Sequence, residues 1–234
     1  MQIFYARVIN SSNCKLDRNE SRHCIKVLRL KKNSPVKIVD GAGNLYEGTI
    51  LIPDPEECTI GIDNVIRDFG KRPYQLHIAI SPLKNSERFE WFVEKSVEIG
   101  IDEITPIICK NTEKQNIKYE RINNIIISAM KQSIKAKLTK LNEPIPFDKF
   151  IKKDLSGDKL IAHCSESPAR SKLSKVYSRG KDIVILIGPE GDFSPEEVML
   201  ARKAGFKSVH LGSSKLRTET AGIAACHSVY FINQ

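Results

Sequence analysis

Ile183-Val184-Ile185-Leu186-Ile187-Gly188-Pro189-Glu190-Gly191-Asp192-Phe193-Ser194-Pro195-Glu196-Glu197 carries the clearest fold information in the chain. Ile183–Ile187 has no polar side chain, as expected for a parallel strand covered on both faces. Gly188-Pro189-x-Gly191 then turns sharply, and a helix start follows. Ser194 is the N-cap, Pro195 takes the first helical position, and Glu197 at N3 completes a capping box. In open α/β sheets ligands bind in the crevice beyond such carboxyl ends, and glycines there let backbone N–H and C=O groups approach a ligand. Taken alone, the turn is equally compatible with a plain strand–turn–helix connection. The loop lacks Gly-Lys-[Ser/Thr] and Gly-x-Gly-x-x-Gly, so it fits phosphate binding poorly.

Downstream, Ser208–Leu211 reads as another strand. Gly212-Ser213-Ser214-Lys215-Leu216-Arg217-Thr218-Glu219-Thr220-Ala221 leads from it into a helix rich in small residues (Ala221, Gly222, Ala224, Ala225). Such residues admit a second backbone closely, within the fold or across a dimer, although an ordinary core helix is an equal reading. Glu219 suits a helix N-terminus and Arg217 does not, which invites a functional reading of the arginine.

Upstream, strands and helices alternate over roughly 160 residues, the pattern of an open α/β sheet. Strands are expected at Gln75–Ile80, Ile104–Ile108 and Leu160–His163. Helices are expected at Glu87–Ile99, Tyr119 to about Lys137, and Leu173–Tyr177. Phe89, Phe92, Val93, Ser96 and Val97 make one buried stripe of the first helix; Ile122, Ile125, Ile126, Ala129 and Met130 make that of the second.

The first 65 residues read differently: strands at Ile3–Val8, Val36–Val39, Leu45–Leu51 and Cys58–Val65, a turn at Asp40–Asn44, and one helix over Arg18–Arg29. This predicts a small β-barrel-like domain over residues 1–70. A polar linker at Arg67–Pro73 separates it from an α/β domain over residues 74–234.

The chain has 234 residues, 41% hydrophobic and 28% charged, with a formal net charge of +9 and a pI near 9.2. That excludes global disorder and favours a polyanionic partner such as nucleic acid. No apolar run approaches the roughly 18 residues of a membrane span, and the start lacks a secretory layout. Six scattered cysteines without Cys-x-x-Cys read as reduced thiols of a cytoplasmic protein. His163-Cys164 has no companion at ligand spacing, so no metal is expected.

Four motifs in order carry a family resemblance. They are His23-x-x-x-Val27-Leu28-Arg29; Lys84-x-x-x-Arg88-x-Glu90-Trp91-x-x-x-Lys95 with Glu98-Ile99-Gly100-Ile101; Gly188-Pro189-Glu190-Gly191; and Leu216-Arg217-x-Glu219-Thr220-Ala221. Over the whole chain they resemble the 16S ribosomal RNA uridine N3-methyltransferase family of the SPOUT superfamily. The resemblance implies an N-terminal PUA-like RNA-binding β-barrel and a C-terminal trefoil-knotted α/β methyltransferase domain with a mostly parallel sheet. It also implies a homodimer acting on 16S ribosomal RNA in the 30S subunit.

The cofactor implied is S-adenosylmethionine, held by Ile187, Gly188, Pro189, Glu190 and Gly191 with Leu211, Gly212, Leu216, Thr220 and Ala221. Uridine N3–H is mostly protonated near neutral pH, so a base such as Glu190 or Glu219 could assist methyl transfer. Arg217 is assigned to stabilise the developing anion. RNA contacts are expected from Arg7, Arg18, Arg22, His23, Lys26 and Arg29, because nine Lys or Arg face two acids between Arg7 and Lys37. A second basic stretch, Lys110–Lys153, has eleven basic and four acidic residues.

Three positions depart from the family pattern: Asp192 replaces a second glycine, Ser214 an arginine, and Lys131-Gln132-Ser133-Ile134-Lys135 a Glu-Gln-x-x-Arg-like segment. Rival readings are a SPOUT enzyme with another target, such as a ribose 2′-hydroxyl, and a silent RNA-binding assembly factor.

Overall fold

The computed structural model describes residues 3–7, 9–10, 12–165 and 169–234. Val8, the expected end of the first strand, lies outside them, as do Met1 and Gln2 of the N-terminal reading. The chain divides into two compact units, Met1–Lys71 with Ile127–Leu138, and Arg72–Ile126 with Thr139–Gln234.

The first unit contains β1 (Ile3–Tyr5), β2 (Asn13–Lys15), α1 (Arg18–Arg22), β3 (Pro35–Val39), β4 (Leu45–Ile52) and β5 (Thr59–Ile66). Its sheet runs β1-β3-β4-β5-β2. Register shifts in the β4–β5 ladder at Glu47/Gly48 and Ile50/Ile52 bend these strands. An antiparallel bridge from Ile9 to Cys14 brings the chain after β1 against β2, so the sheet curls toward closure. Inside lie Phe4, Leu16, Ile38, Ile50 and Ile60, all at most 2% exposed. The Asp40–Asn44 turn forms as expected. Asp40 Oδ1 accepts from the backbone N–H of Ala42 (2.7 Å) and Asn44 (3.1 Å), and Oδ2 from Asn44 Nδ2 (2.6 Å) and the Tyr46 hydroxyl (3.2 Å).

The expected helix over Arg18–Arg29 needs correction. Regular α geometry stops at Arg22, the chain widens into a π-turn over His23–Val27, and Arg29 takes φ +55°. The wider turn breaks the three-to-four-residue spacing that placed four cations on one face. β2 has no counterpart in the sequence reading.

The second unit opens with β6 (Leu76–Ile80), α2 (Ser86–Ile99) and β7 (Glu103–Ile108). α3 (Tyr119–Gln132) leads on to β8 (Lys140–Leu141), β9 (Ile145–Pro146) and α4 (Phe147–Phe150). The rest is β10 (Asp158–Ala162), β11 (Ser171–Lys172), α5 (Leu173–Val176), β12 (Ile183–Ile187), α6 (Pro195–Lys203), β13 (Lys207–His210) and α7 (Thr218–Ile232). The sheet order is β11-β13-β10-β12-β6-β7-β8, and every one of these pairings is parallel. β12 is buried along its whole length. The α2 stripe is the expected one: its buried residues are Phe89, Phe92, Val93, Ser96 and Val97. α3 stops at Gln132 rather than near Lys137, because Ile134 enters the left-handed region at φ +56°.

The small-residue helix α7 packs on α2. A Cβ on Gly222 would lie 2.5 Å from Phe92 Cε2, so only glycine allows this approach. Cys226 Sγ donates to the Ser96 carbonyl oxygen at 3.7 Å. At Gly222, therefore, the close backbone approach serves the fold.

Candidate active site

A cavity of about 460 Å³ lies beyond the carboxyl ends of β10, β12 and β13, within the usual range of ligand pockets. Ala162, His163 and Cys164 enter its wall after β10; Ile187, Gly188, Pro189 and Glu190 after β12; and Val209 to Gly212 at the end of β13. The start of α7 adds Leu216, Arg217, Thr218, Glu219 and Ala221, and α2 adds Arg88. Asp192, Arg170, Ser214 and Lys215 complete it. Of the residues expected around the cofactor, only Gly191 and Thr220 are off this wall.

The strand–turn–helix motif is held as its sequence dictates. Ser194 Oγ accepts from Glu197 N (3.3 Å) and Glu197 Oε2 accepts from Ser194 N (2.8 Å), completing the capping box. Glu197 Oε1 also accepts from Lys110 N (2.8 Å), tying the turn to the chain after β7. Asn111 Nδ2 donates to the carbonyl oxygens of Gly191 (3.2 Å) and Asp192 (3.1 Å), which turns Gly191 away from the cavity. A side chain at 188 would meet Phe193 Cδ2 at 3.0 Å and the Phe193 backbone nitrogen at 3.2 Å, so the loop folds this tightly only around glycine.

Asp192 explains its own departure from the family pattern. Its φ of +62° is a glycine-like conformation that aspartate tolerates better than most residues. Its carboxylate also accepts from Cys164 N (2.8 Å) and Phe193 N (2.9 Å). The aspartate thus keeps the turn and adds a tie between the loops after β10 and β12. Arg170 Nη1 donates to the His163 carbonyl oxygen at 2.6 Å, which closes the connection after β10 on itself. Burial lowers the His163 pKa against the opposing pull of Asp192.

The three expected catalytic residues differ in setting. Glu190 is exposed, and its Oε1 accepts from Lys84 N at 3.1 Å. Arg217 is exposed at the N-cap of α7, where its guanidinium, which has no acceptor, cannot cap the helix. Glu219 is only 5% exposed, and its Oε1 lies 3.9 Å from Arg88 Nε. Arg88 belongs to the Lys84–Lys95 motif, and the sequence alone does not place it in the site. Its helix position is readable from sequence, but its pairing with a residue 131 positions away is not.

On the first unit Arg7, Arg18, Arg22, His23, Lys26 and Arg29 are all exposed. Arg18 Nε and Arg22 Nη2 both pair with Glu56, which lowers the Glu56 pKa through the Arg18 hydrogen bond. Of the others, His23 and Lys26 lie on the π-turn, with Arg29 just beyond it and Arg7 after β1. Lys131, in the departing 131–135 segment, pairs with Glu20.

A family model described as RNA methyltransferase domain matches residues 70–230, and one described as RNA methyltransferase PUA domain matches residues 16–63. Ribosomal RNA small subunit methyltransferase E of Rickettsia conorii is 28% identical, over 96% of this chain and 92% of that protein. The crystal structure of a probable rRNA-methyltransferase from Porphyromonas gingivalis is 40% identical with a TM-score of 0.93, covering 100% of this chain and 98% of that one. Ribosomal RNA small subunit methyltransferase E from Neisseria gonorrhoeae, bound to S-adenosyl methionine, is 27% identical with a TM-score of 0.89 over 100% and 98%. The chain belongs to this RNA methyltransferase family, whose members include the ribosomal RNA small subunit methyltransferases E.

Proposed function

We propose that this protein transfers a methyl group from S-adenosylmethionine to N3 of a uridine in 16S ribosomal RNA, acting on the 30S subunit as a cytoplasmic homodimer. The observation that carries the reading is the cavity itself. Loops from three adjacent strands converge on it, with Ile187, Leu211, Leu216 and Ala221 offering apolar surface and Gly188 and Gly212 offering open backbone. Such a lining suits an adenosine ring and a methionine chain with its sulfonium, and the solved relative from Neisseria gonorrhoeae is bound to S-adenosyl methionine. Gly191 and Thr220, off this wall, would support the loop and helix start around it.

When bound, the cofactor supplies an electrophilic methyl group. Arg217 would stabilise negative charge growing on the uracil oxygens as N3 loses its proton, and Glu190 or Glu219 would receive that proton.

Residues 1–70 would serve as the RNA-binding domain and 74–234 as the methyltransferase domain, with the turns after β12 and β13 forming the trefoil knot. Phe231, 71% exposed and stacked on His227, offers an apolar face for a second copy. Among the described residues no helix is long and apolar enough to cross a membrane.

The test is methyl transfer from labelled S-adenosylmethionine to purified 30S subunits and to naked 16S RNA, with the product nucleoside identified by mass spectrometry. 3-Methyluridine is expected; a ribose-methylated nucleoside would overturn the substrate assignment. Phe231→Glu should shift the protein toward monomer in sedimentation.

A further inference from the structure

Glu219 presents an unusual chemical situation. Its carboxylate is buried in the first turn of α7, Oε1 faces Arg88, and Oε2 has neither solvent nor a hydrogen-bond partner among the described residues. Buried carboxylate oxygens are normally satisfied, so one left unpaired in a residue that lines a cavity points to a donor brought by a ligand, toward which the side chain turns when the ligand settles.

The pairing is held from both sides. Arg88 lies one turn before Phe92 on α2, and Glu219 one turn before Gly222 on α7. The Phe92–Gly222 contact leaves no room for the helices to slide. Of the other two acids on the wall, Glu190 is exposed and already accepts from Lys84 N, and Asp192 accepts from Cys164 N and Phe193 N.

The donor can be identified by complementarity. Arg88, Glu219 and Arg217 all line the cavity, so this wall offers donor, acceptor and donor groups. The uracil edge reads O2 acceptor, N3–H donor and O4 acceptor. Cytosine has no hydrogen on N3 and a donor at N4, and guanine places a donor beside N1–H, so neither matches.

We propose that Glu219 accepts the N3 proton of uracil, that Arg88 is its positioning residue, and that the Arg88–Glu219–Arg217 wall selects uracil by this edge. The proposal rests on uridine N3 methylation and deepens it. The N3–H bond breaks and its proton passes to Glu219 Oε2. The electron pair left on N3 forms the new bond to the methyl carbon, and the pair of the broken C–S bond stays on sulfur.

The experiment is single-turnover methylation of 30S subunits with the product identified. A ribose-methylated product from the wild-type protein overturns both readings. With 3-methyluridine established, Glu219→Gln should lose roughly 10²–10⁴-fold in rate, the usual range for losing a general base. Its affinity for S-adenosylhomocysteine and for RNA should stay within about threefold of wild type, a change of under 1 kcal/mol. Subunits assembled with 5-fluorouridine RNA, whose N3–H is more acidic, should restore at least about tenfold of that rate, because a weaker base suffices for a stronger acid. Arg88→Met should lower kcat with little change in KM, and Arg88→Lys should recover part of it. The assignment is overturned if fluorouridine gives no rescue. It is also overturned if Glu219→Gln loses S-adenosylhomocysteine affinity while keeping its rate at saturating cofactor, which would make Glu219 a cofactor ligand instead.

Discussion

The parallel sheet carries a cavity at each end, and the two are built differently. At the amino ends of β6, β7 and β12 a cavity of about 300 Å³ is lined by polar groups that satisfy one another. His77 Nε2 meets Thr105 Oγ1 at 2.7 Å. Asn142 Nδ2 donates to Thr105 Oγ1 (2.7 Å) and Glu103 Oε1 (2.6 Å), and Lys140 Nζ donates to Glu103 Oε1 (3.1 Å). Burial works to raise the Glu103 pKa, yet the Asn142 hydrogen bond and the neighbouring cations hold it below the ordinary value. At the carboxyl ends Asp192, Arg170 and Glu190 are hydrogen-bonded, but Glu219 Oε2 lacks a donor among the described residues. A network already satisfied stabilises the fold, whereas open polar groups beside glycine backbone are available to a ligand.

The contrast breaks most directly at Arg217. Arg217→Ala should reduce kcat by about 10²–10³-fold, the scale of losing one electrostatic stabiliser, with RNA affinity and Tm unchanged. Full turnover at unchanged RNA affinity would falsify its assignment. Next in size is Gly222→Val, which drives a side chain into Phe92 and should destabilise the protein by about 2–3 kcal/mol, read as a lower denaturant midpoint. A neutral result would mean that α2 and α7 are not locked together.

The amino end should respond to pH in stability rather than in activity. Burial drives the His77 pKa from 6.5 down to about 4 against the pull of Glu103. The folded state therefore binds fewer protons than the unfolded chain, and this stabilisation is complete above about 6.5 and lost as pH falls toward 4. The loss should be on the order of 3 kcal/mol, and His77→Gln should flatten that part of the stability profile while methyl transfer at neutral pH persists. A large activity loss in that variant would instead join the two ends functionally. The smallest effect is expected at Asp192→Ala, about 1 kcal/mol from the positive φ and the lost bond to Cys164 N; Asp192→Gly should recover the backbone part.

Sequence reading reached far where the signal was local. The all-apolar β12, the Ser194–Glu197 capping box and the α2 stripe depend on neighbouring residues and a fixed period, and each appears where it was read. The two-residue strands β8, β9 and β11 are too short to show alternation, so they were not read. The π-turn at His23–Val27 was also missed, because a one-residue widening leaves composition and spacing almost unchanged. It changes the spacing of the cations that the sequence places on one helix face, and Glu56 pairs with Arg18 and Arg22.

The candidate site shows the same division. Its glycines, its capped helix and the acids and arginine of the second loop could be named from residues in order, because backbone turns and helix caps are short-range physics. The sequence by itself thus determined the strand, the two loops and the chemistry they offer. Only the tertiary structure decided which groups were left unpaired. Arg88 meets Glu219 because Gly222 lets α7 sit against Phe92, and Gly191 leaves the cavity because Asn111 pulls its carbonyl away. Such outcomes depend on contacts between distant segments, whose free energies are settled by the packing of the whole unit.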